Sequence, residues 1–510
     1  MGYVNSTFPF NYCNNCKKES IYRICEDCSE KTEKKYFCRS CNREVKEKCQ
    51  LHDRGDNFKE TRLDIKHYFE KAVAKLGFFR IDVPVLIKGV RGTSSEGHNI
   101  ENLSKGILRS KYGLCVNKDG TIRYDMTELP LTHFKPKEIE VSVEKLKELG
   151  YEKDFLGNEL INDKQILELK PHDIIIPCNN LAGDDKADDV FVKAANFIDE
   201  LLVKFYGLPA FYDVKTRDDL IGKLGVCMAP HNCAGVISRI IGFSKVQGLL
   251  ASPYMHAAMR RDCDGDEAAL MLLLDVLINF SRKFLPSHRG GTQDAPLVLN
   301  GQIHAREVDD QILDFEVVSN YPLDLYEKAE KKMHSKEVQI DSVKQRLKEE
   351  KDPFVNIGFT HNTSNFNDGA TCSSYKTLPT MQEKVQNQMK LCERLRSCDQ
   401  GDVARLIIDR HFMRDLKGNL RKFSQQGFRC STCNTIYRRP PLSGKCECGG
   451  RIIFTISYGS IVKYLEPALD LTRNYDVPAY IKQDLELTKK YIESIFGKDT
   501  EKQQNIDKWF

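Results

Sequence analysis

The spacing of apolar and polar residues divides this chain into several predicted elements. Residues 65–76 and 190–205 carry apolar side chains at helical intervals, and the apolar run 83–87 predicts a strand. The helical spacing recurs over residues 381–395 and 481–495, where polar residues separate the apolar ones. Both helices and strands are therefore expected, and the pattern predicts an α+β, multidomain protein.

Two further stretches have less regular patterns. Residues 323–350 are highly charged and predict a solvated helix, whereas residues 353–375 are rich in Asn, Ser, Thr and Gly and predict a loop. Because 510 residues exceed one ordinary core, roughly three or four units are expected. In chain order, we predict a cysteine-rich module at 1–60, a globular core at 61–320, a helical and loop region at 321–425, another cysteine-rich module at 426–460, a helical region at 461–500 and a polar tail at 501–510.

One short run places three aspartates, Asp262, Asp264 and Asp266, at alternate positions, with a glycine between the last two. Carboxylates at this spacing can converge on one hard cation, and Mg²⁺ is commonly held by carboxylates together with substrate phosphates. Apolar segments flank the run, and the one that follows, residues 268–284, predicts a mostly buried helix. Three acids between core elements would repel one another without a cation. We therefore favour a Mg²⁺ site for phosphoryl or nucleotidyl transfer over a solvated acidic turn.

Eleven of the nineteen cysteines fall into closely spaced groups. Thiolates separated by two residues fold around one ion, and four ligands complete a tetrahedral Zn²⁺ site. Structural zinc is the predicted role, and redox activity is the alternative. The three predicted ligand sets are Cys13, Cys16, Cys25 and Cys28; Cys38, Cys41, Cys49 and His52; and Cys430, Cys433, Cys446 and Cys448. The last set departs from the pattern, because only one residue separates its final two cysteines.

Charge and hydropathy narrow the class of protein further. The formal charge of +4 is nearly balanced, so net charge alone does not predict a nucleic-acid partner. The first residues lack the basic and apolar segments of a secretion signal, and no stretch approaches about 18 consecutive apolar residues. We therefore expect an intracellular protein that does not cross a membrane.

Six longer segments carry a more specific signal than the aspartates alone. They are residues 129–134 (LPLTHF), 229–235 (APHNCAG), 256–267, 289–298 (RGGTQDAPLV), 358–361 (GFTH) and 409–412 (DRHF). In these segments, which are spread over most of its length, the chain resembles the C-terminal, catalytic part of the large subunit of archaeal D-family DNA polymerase.

The resemblance implies a fold with two double-psi β-barrels within residues 61–320, the core shared with multisubunit RNA polymerases. One barrel would carry the three aspartates as Mg²⁺ ligands, and the other would present Lys88 and Arg91 across a cleft. The implied reaction is template-directed addition of deoxynucleotides to a primer 3′ end by a two-metal mechanism, with Zn²⁺ in the cysteine modules. Further candidates for contacts to template or nucleotide, for which a structural role is the open alternative, are His256, Arg260, Arg261 and Arg289.

The last ten residues resemble the peptide by which replication proteins bind a sliding clamp. The motif residues are Gln503, Ile506, Trp509 and Phe510. One 3₁₀ turn would bring the three apolar side chains together as a plug, while the glutamine fills a polar pocket. The other implied partners are primer–template DNA, deoxynucleotides, a small exonuclease subunit and a separately encoded N-terminal half of the large subunit, all within a nucleoid-associated cytoplasmic assembly.

Four departures from the family pattern leave alternatives open. Asp262 stands where the family usually has asparagine and matches the RNA polymerase signature, and Arg91 stands where lysine is more common. The third cysteine set is shortened. The long region that normally precedes the zinc modules is missing, which indicates a separately encoded half, a naturally short form or an engineered fragment. The alternatives are an RNA polymerase of the same two-barrel class, a zinc-dependent nucleic-acid-binding scaffold without catalysis, and a nuclease.

Overall fold

The structure is a computed structural model of the chain. It describes residues 2–78, 84–92, 95–181, 183, 185–304, 308, 310–357 and 364–497. The clamp-like tail at 501–510, the segment 358–361 and the first residue of the predicted strand 83–87 lie outside the described residues. None of the helices in the described part of the chain is both long and apolar enough to span a membrane.

The chain forms two compact units. The first unit comprises residues 1–321 and 340–372, and the second comprises residues 322–339 and 373–510. The finer division into six segments stays a prediction.

The first unit begins with an antiparallel pair, β1 (Tyr3–Pro9) and β7 (Phe58–Asp64), that encloses the N-terminal cysteines. The helix α1 (Ile65–Leu76) follows at the predicted position; Asp64 caps its first turn, and Gly77 ends it in the left-handed conformation. Between β1 and β7 lie the short strands β2 (Asn11–Cys13), β3 (Lys18–Ser20), β4 (Glu33–Lys34), β5 (Tyr36–Cys38) and β6 (Arg43–Val45).

A closed six-stranded barrel forms the centre of the first unit. Its strands are β8 (Tyr124–Pro130), β11 (Asp173–Pro177), β12 (Leu224–Met228), β13 (Ala234–Ser244), β14 (Leu249–Ala251) and β15 (Glu267–Leu272). They pair in the order β11, β14, β8, β15, β12, β13, and β13 returns to β11 to close the barrel. A seventh strand, β16 (Val298–Asn300), pairs with β13. The α+β class is confirmed, whereas the predicted pair of double-psi barrels is not: among the described residues we find one closed barrel.

The barrel strands are short runs of β-branched and other apolar residues that are buried on both faces, as Ile174, Ile175 and Ile176 illustrate. Around the barrel lie the paired strands β9 (His133–Phe134) and β10 (Leu167–Glu168). The helices of this unit are α2 (Leu103–Lys111), α3 (Val143–Glu148), α4 (Ala187–Glu200), α5 (Pro253–Ala258), α6 (Leu273–Asn279), α7 (Arg289–Thr292) and α9 (Val343–Lys348). The predicted helix 190–205 corresponds to α4 and a π-helical turn that continues it at Leu201–Tyr206.

Three predicted elements are wrong. Residues 268–284 are not one helix, because Glu267–Leu272 form β15, which hydrogen-bonds to β8 and β12 on either side before α6 begins. Residues 84–87 form no strand, and the side chains of Val85 and Leu86 are exposed. Residues 323–350 contain two short helices, α8 (Leu323–Glu330) and α9, rather than one.

The second unit is mainly helical around its own apolar core. The predicted helices at 381–395 and 481–495 are confirmed. The helices of this unit are α8 (Leu323–Glu330), α10 (Ser374–Thr377), α11 (Met381–Arg394), α12 (Gln400–Leu406), α13 (Met413–Gln425), α14 (Tyr458–Val462), α15 (Leu465–Asn474) and α16 (Ala479–Phe496). The last cysteine group lies among three short strands and the turns between them: β17 (Phe428–Cys430), β18 (Ile436–Tyr437) and β19 (Ile452–Ile453).

Candidate metal centre

The three aspartates lie on a tight loop between α5 and the barrel strand β15. Cys263 and Gly265 alternate with them and adopt the left-handed conformation, with φ of +65° and +99°. This region is open to glycine but strained for a cysteine, so the loop holds a shape that an ordinary turn would not adopt. The strand that follows is hydrogen-bonded on both sides, which fixes the end of the loop against the barrel.

The structure brings the three aspartates together and adds a fourth acid, Glu128. One carboxylate oxygen from each of Glu128, Asp262, Asp264 and Asp266 lies within 4.8 Å of the other three. Glu128 belongs to the neighbouring strand β8, and its backbone N–H donates to the carbonyl of Asp266 over 2.8 Å. Four converging carboxylates are the oxygen-rich donor set that Mg²⁺ and similar hard cations prefer. The residues present therefore fit the predicted Mg²⁺ site.

The electrostatics of the centre follow from this crowding. Partial desolvation by its neighbours raises the pKa of the Asp264 carboxyl above its ordinary value, and the charges of Asp262, Asp266 and Glu128 raise it further. Arg261 brings a positive charge to the loop, with its Nε 3.5 Å from Asp266 Oδ2. Four converging carboxylates attract positive charge strongly, so this arrangement suits a bound cation.

A second cluster of acids near the N-terminus shows the opposite behaviour. Glu26, Asp27 and His67 also offer ligand atoms within 4.8 Å of one another. There, however, Lys18 contacts both carboxylates, and Lys71 lies 2.8 Å from Asp27. Hydrogen bonds from these lysines lower the pKa of Asp27 to about 2. Because the protein's own cations already compensate this cluster, it does not need a metal ion.

Sequence reasoning missed Glu128, which is far from the aspartates along the chain. A signal was nevertheless present in β8, where buried positions alternate at Tyr124, Met126 and Glu128. A carboxylate at a core-facing position of a strand is unusual, because an unpaired buried charge is costly. The alternation of buried positions in β8 could therefore have indicated that Glu128 is a buried carboxylate. Only the folded barrel shows that the aspartates are its neighbours.

The predicted basic residues occupy several different environments. Lys88 Nζ donates to the carbonyl of Gly113 over 2.9 Å. Arg91 donates to Ser6 and to the carbonyl of Thr7, and its guanidinium lies 4.8 Å from the centroid of the Phe8 ring. These contacts join Arg91 to β1 rather than to the acidic loop.

Of the residues flanking the loop, His256 is fully buried against Glu128, whereas Arg261 is held by the carbonyls of Pro230 and Arg260. Arg260 adopts the left-handed conformation, with φ of +62°. The side chain of Arg289 lies outside the described part of the structure.

The predicted zinc ligands come together in all three sets, each with its four ligand atoms within 4.8 Å of one another. Tetrahedral coordination with Zn–S bonds of about 2.3 Å requires sulfur atoms roughly 3.8 Å apart. The first set has Sγ–Sγ distances of 3.5 Å for Cys13–Cys28 and 3.9 Å for Cys16–Cys25. In the second set, His52 Nδ1 lies 3.0 to 3.8 Å from the sulfurs. Both sets therefore fit a closed tetrahedral Zn²⁺ site.

The shortened third set assembles in the same way. Cys430 lies 3.5 Å from Cys448, and Cys433 lies 3.4 Å from Cys446, measured between Sγ atoms. The backbone approaches this set closely at Gly450, where an added Cβ would lie 2.5 Å from the sulfur of Cys430. The departure in spacing therefore does not separate the four sulfurs.

The barrel brings three carboxylates of one loop together with a fourth from a neighbouring strand, and the chain also holds three closed cysteine clusters. It therefore has candidate ligands for both hard and soft divalent cations. Comparison with known sequences identifies the protein family. Residues 81–384 match the family described as DNA polymerase II large subunit DP2, catalytic domain. The chain therefore belongs to the DNA polymerase II large-subunit family, and the predicted resemblance to the archaeal D-family polymerases is confirmed.

Individual relatives agree with this assignment. The chain is 46% identical over 540 residues to the DNA polymerase II large subunit of Nanoarchaeum equitans, 47% over 512 residues to that of Archaeoglobus fulgidus, and 44% over 499 residues to that of Pyrococcus furiosus. These alignments cover 97%, 99% and 96% of this chain, but 43%, 44% and 38% of the respective relatives. The chain thus spans less than half the length of these curated relatives.

Proposed function

We propose that this chain is the catalytic portion of a replicative DNA-directed DNA polymerase, which adds deoxynucleotides to a primer 3′ end. The observation that carries the proposal is the convergence of Asp262, Asp264 and Asp266 on one barrel loop, in a chain that belongs to the large-subunit family. Phosphoryl-transfer enzymes commonly use carboxylates to hold the cations that position and activate the reacting groups.

In this proposal, the three aspartates hold two Mg²⁺ ions at the mouth of the loop. When bound, the ions would lower the pKa of the primer 3′-hydroxyl and stabilise negative charge on the α-phosphate and the departing pyrophosphate. Asp264 is exposed and the Asp266 side chain is 45% exposed, so substrate phosphates can approach their oxygens. Arg261, held at the edge of the loop by the carbonyl of Pro230, would orient Asp266 and limit its motion.

Lys88 and Arg91 would neutralise phosphate charge as part of a second barrel opposite the acidic loop. Family membership supports this assignment. In the structure, Lys88 donates a hydrogen bond to the carbonyl of Gly113, and Arg91 donates one to the carbonyl of Thr7. A phosphate oxygen is a stronger acceptor for either cation than a neutral carbonyl, so substrate could compete for these contacts.

We further propose Zn²⁺ as the occupant of the three cysteine sets. Each set supplies four ligands, which leaves no position for a reacting water, so the role is structural. The short strands β2 to β6 have few buried apolar residues of their own, and metal binding would supply part of their folding energy.

Primer extension tests the proposal directly. The purified chain, alone and with a small exonuclease subunit and a separately expressed N-terminal half, would be given a primed template, Mg²⁺ and deoxynucleotides. Extension that requires the chain and the divalent cation supports the proposal. Binding of primed template without extension under every combination would instead support the zinc-dependent scaffold.

An RNA polymerase is the second candidate, because Asp262 matches the signature of that class. Parallel reactions with ribonucleotides and deoxynucleotides distinguish the two. We expect deoxynucleotides to be preferred, since the family match extends over residues 81–384 rather than over the acidic run alone.

The tail is proposed to bind a sliding clamp through Gln503, Ile506, Trp509 and Phe510. Deleting residues 503–510 should remove binding of the purified clamp while leaving basal extension on short templates unchanged. Clamp affinity equal to that of the full chain would refute the assignment.

A further inference from the structure

The side chain of Glu128 is fully buried, with 0% of its surface exposed. Within the described part of the chain, neither of its carboxylate oxygens has a hydrogen-bond partner of normal geometry. Buried polar groups in folded proteins are nearly always hydrogen-bonded, and an isolated buried carboxylate is costly. The buried Glu128 carboxylate therefore needs a stabilising interaction other than a hydrogen bond.

The imidazole of His256 packs against Glu128, and its Nδ1 lies 2.7 Å from Glu128 Oε2. The other ring nitrogen, Nε2, lies 3.1 Å from the carbonyl of Leu129. A carbonyl only accepts hydrogen bonds, so Nε2 carries a proton and Nδ1 is the atom that faces the carboxylate. The imidazole is thereby fixed in orientation and restrains one oxygen of Glu128, while Oε1 remains for another ligand.

Strand pairing fixes the carboxylate relative to the acidic loop. Thr127 of β8 is opposite Glu267 of β15, and the N–H of Glu128 bonds to the carbonyl of Asp266. Glu128 is thus attached to the backbone on which the loop ends, and its ligand atom lies within 4.8 Å of those of the aspartates. A rigid strand is a more precise support for a ligand than a loop, because its backbone hydrogen bonds are satisfied on both sides.

We propose that Glu128 is a fourth carboxylate of the divalent-cation site, supplied from the barrel wall and oriented by His256. This inference rests on the proposed function, in which the same site binds Mg²⁺ for nucleotidyl transfer. The three loop aspartates face incoming substrate, whereas Glu128 binds the cation from the protein side. His256 is a positioning residue that acts through Glu128, since its buried side chain has no access to template or nucleotide.

Direct binding of Mn²⁺, followed by loss of the free-ion signal in electron paramagnetic resonance, tests the inference on the full chain after its cysteine sets are loaded with Zn²⁺. Glu128→Gln keeps the volume of the side chain but removes its charge. We expect Mn²⁺ affinity to fall by about 10- to 100-fold, the range seen when groups that tune a metal site are removed. Glu128→Asp, which keeps the charge but withdraws the oxygens by one methylene, should give an intermediate loss.

Two further variants make the result decisive. Glu267→Gln removes an exposed carboxylate at the first position of β15, directly after the acidic loop, and should leave Mn²⁺ affinity unchanged. His256→Gln should weaken Mn²⁺ binding less than Glu128→Gln does. Thermal unfolding and zinc content of each variant establish that a loss of affinity does not come from a loss of fold.

The inference and the proposed function fail in different ways. If Asp264→Asn weakens Mn²⁺ binding but Glu128→Gln and Glu128→Asp both bind as tightly as the unmodified chain, Glu128 is only a buried partner of His256 and the inference is overturned. If Asp264→Asn also leaves binding unchanged, the cation site itself is absent and the proposed function loses its foundation.

Discussion

The acidic loop and the cysteine clusters are both gatherings of candidate metal ligands, but the chain builds them in different ways. Each cysteine set takes its four ligands from a short stretch of sequence, such as residues 13–28 or 430–448. The acidic centre instead combines a loop with Glu128, which reaches it through the pairing of β8 with β15. The first arrangement is local and closed, whereas the second depends on the barrel and leaves carboxylate oxygens exposed.

The largest effect should come from the open site. Asp264→Ala or Asp266→Ala removes a proposed cation ligand, and loss of several kcal/mol of charge stabilisation corresponds to a decrease in primer extension of about 10³-fold or more. Zinc content and thermal unfolding should be unchanged. Asp218→Ala, at an exposed position outside the centre, is the matched control. Undiminished extension by either variant would remove the residue from the site.

Substitutions in the cysteine sets should instead reduce the zinc content of the chain. Cys25→Ser and Cys430→Ser should each reduce bound zinc by one ion per chain, measured by native mass spectrometry, because an incomplete tetrahedral set binds weakly. Cys178→Ser, outside the three sets, should retain all the zinc, since a serine hydroxyl can replace its contact with the carbonyl of Ser244. Full zinc content in the first two variants would contradict the assigned ligands.

A subtler change probes the shortened third set alone. Gly450→Ala places a Cβ where the sulfur of Cys430 lies 2.5 Å away, so we expect faster zinc loss to a chelator from this set only. Gly418→Ala, in open space on α13, should instead stabilise its helix by up to about 1 kcal/mol and leave zinc unaffected. Equal chelation rates in both variants would show that the close approach at position 450 is not required.

The smallest expected effect belongs to Asp262→Asn. Asparagine is the residue that the resembling family usually has there, and its carbonyl oxygen can still bind a cation. We therefore expect extension within a few-fold of the unmodified chain, with a higher Mg²⁺ requirement. An inactive variant would show that the extra carboxylate is essential here and would separate Asp262 from the usual family pattern.

The same contrast explains what the sequence could predict. The convergence of the cysteine sets and the position of helix α1 could be predicted because their determinants are close in sequence: paired cysteines in one case, apolar spacing with the Gly77 terminator in the other. Residues 268–272 were mistaken for helix because a short buried apolar run has no distinguishing period. Only hydrogen bonding to two neighbouring strands makes them β15.

Glu128 was not predicted as a member of the candidate site, also because its neighbours are distant in sequence. Nothing near Glu128 in the sequence identifies the aspartates as its neighbours, and the barrel closure that brings them together depends on six strands from distant parts of the chain. The contact of Arg91 with β1 was unpredicted for the same reason.

The pairing of β1 with β7 gives the N-terminal cysteines a further role. These two strands form a hairpin whose connection runs from residue 10 to residue 57 and contains both N-terminal ligand sets. Closing so long a connection costs configurational entropy, and each bound ion would act as an internal cross-link that shortens the effective loop. Because Arg91 is attached to β1, the thermodynamic stability of this hairpin also determines how firmly a candidate phosphate-binding residue is anchored.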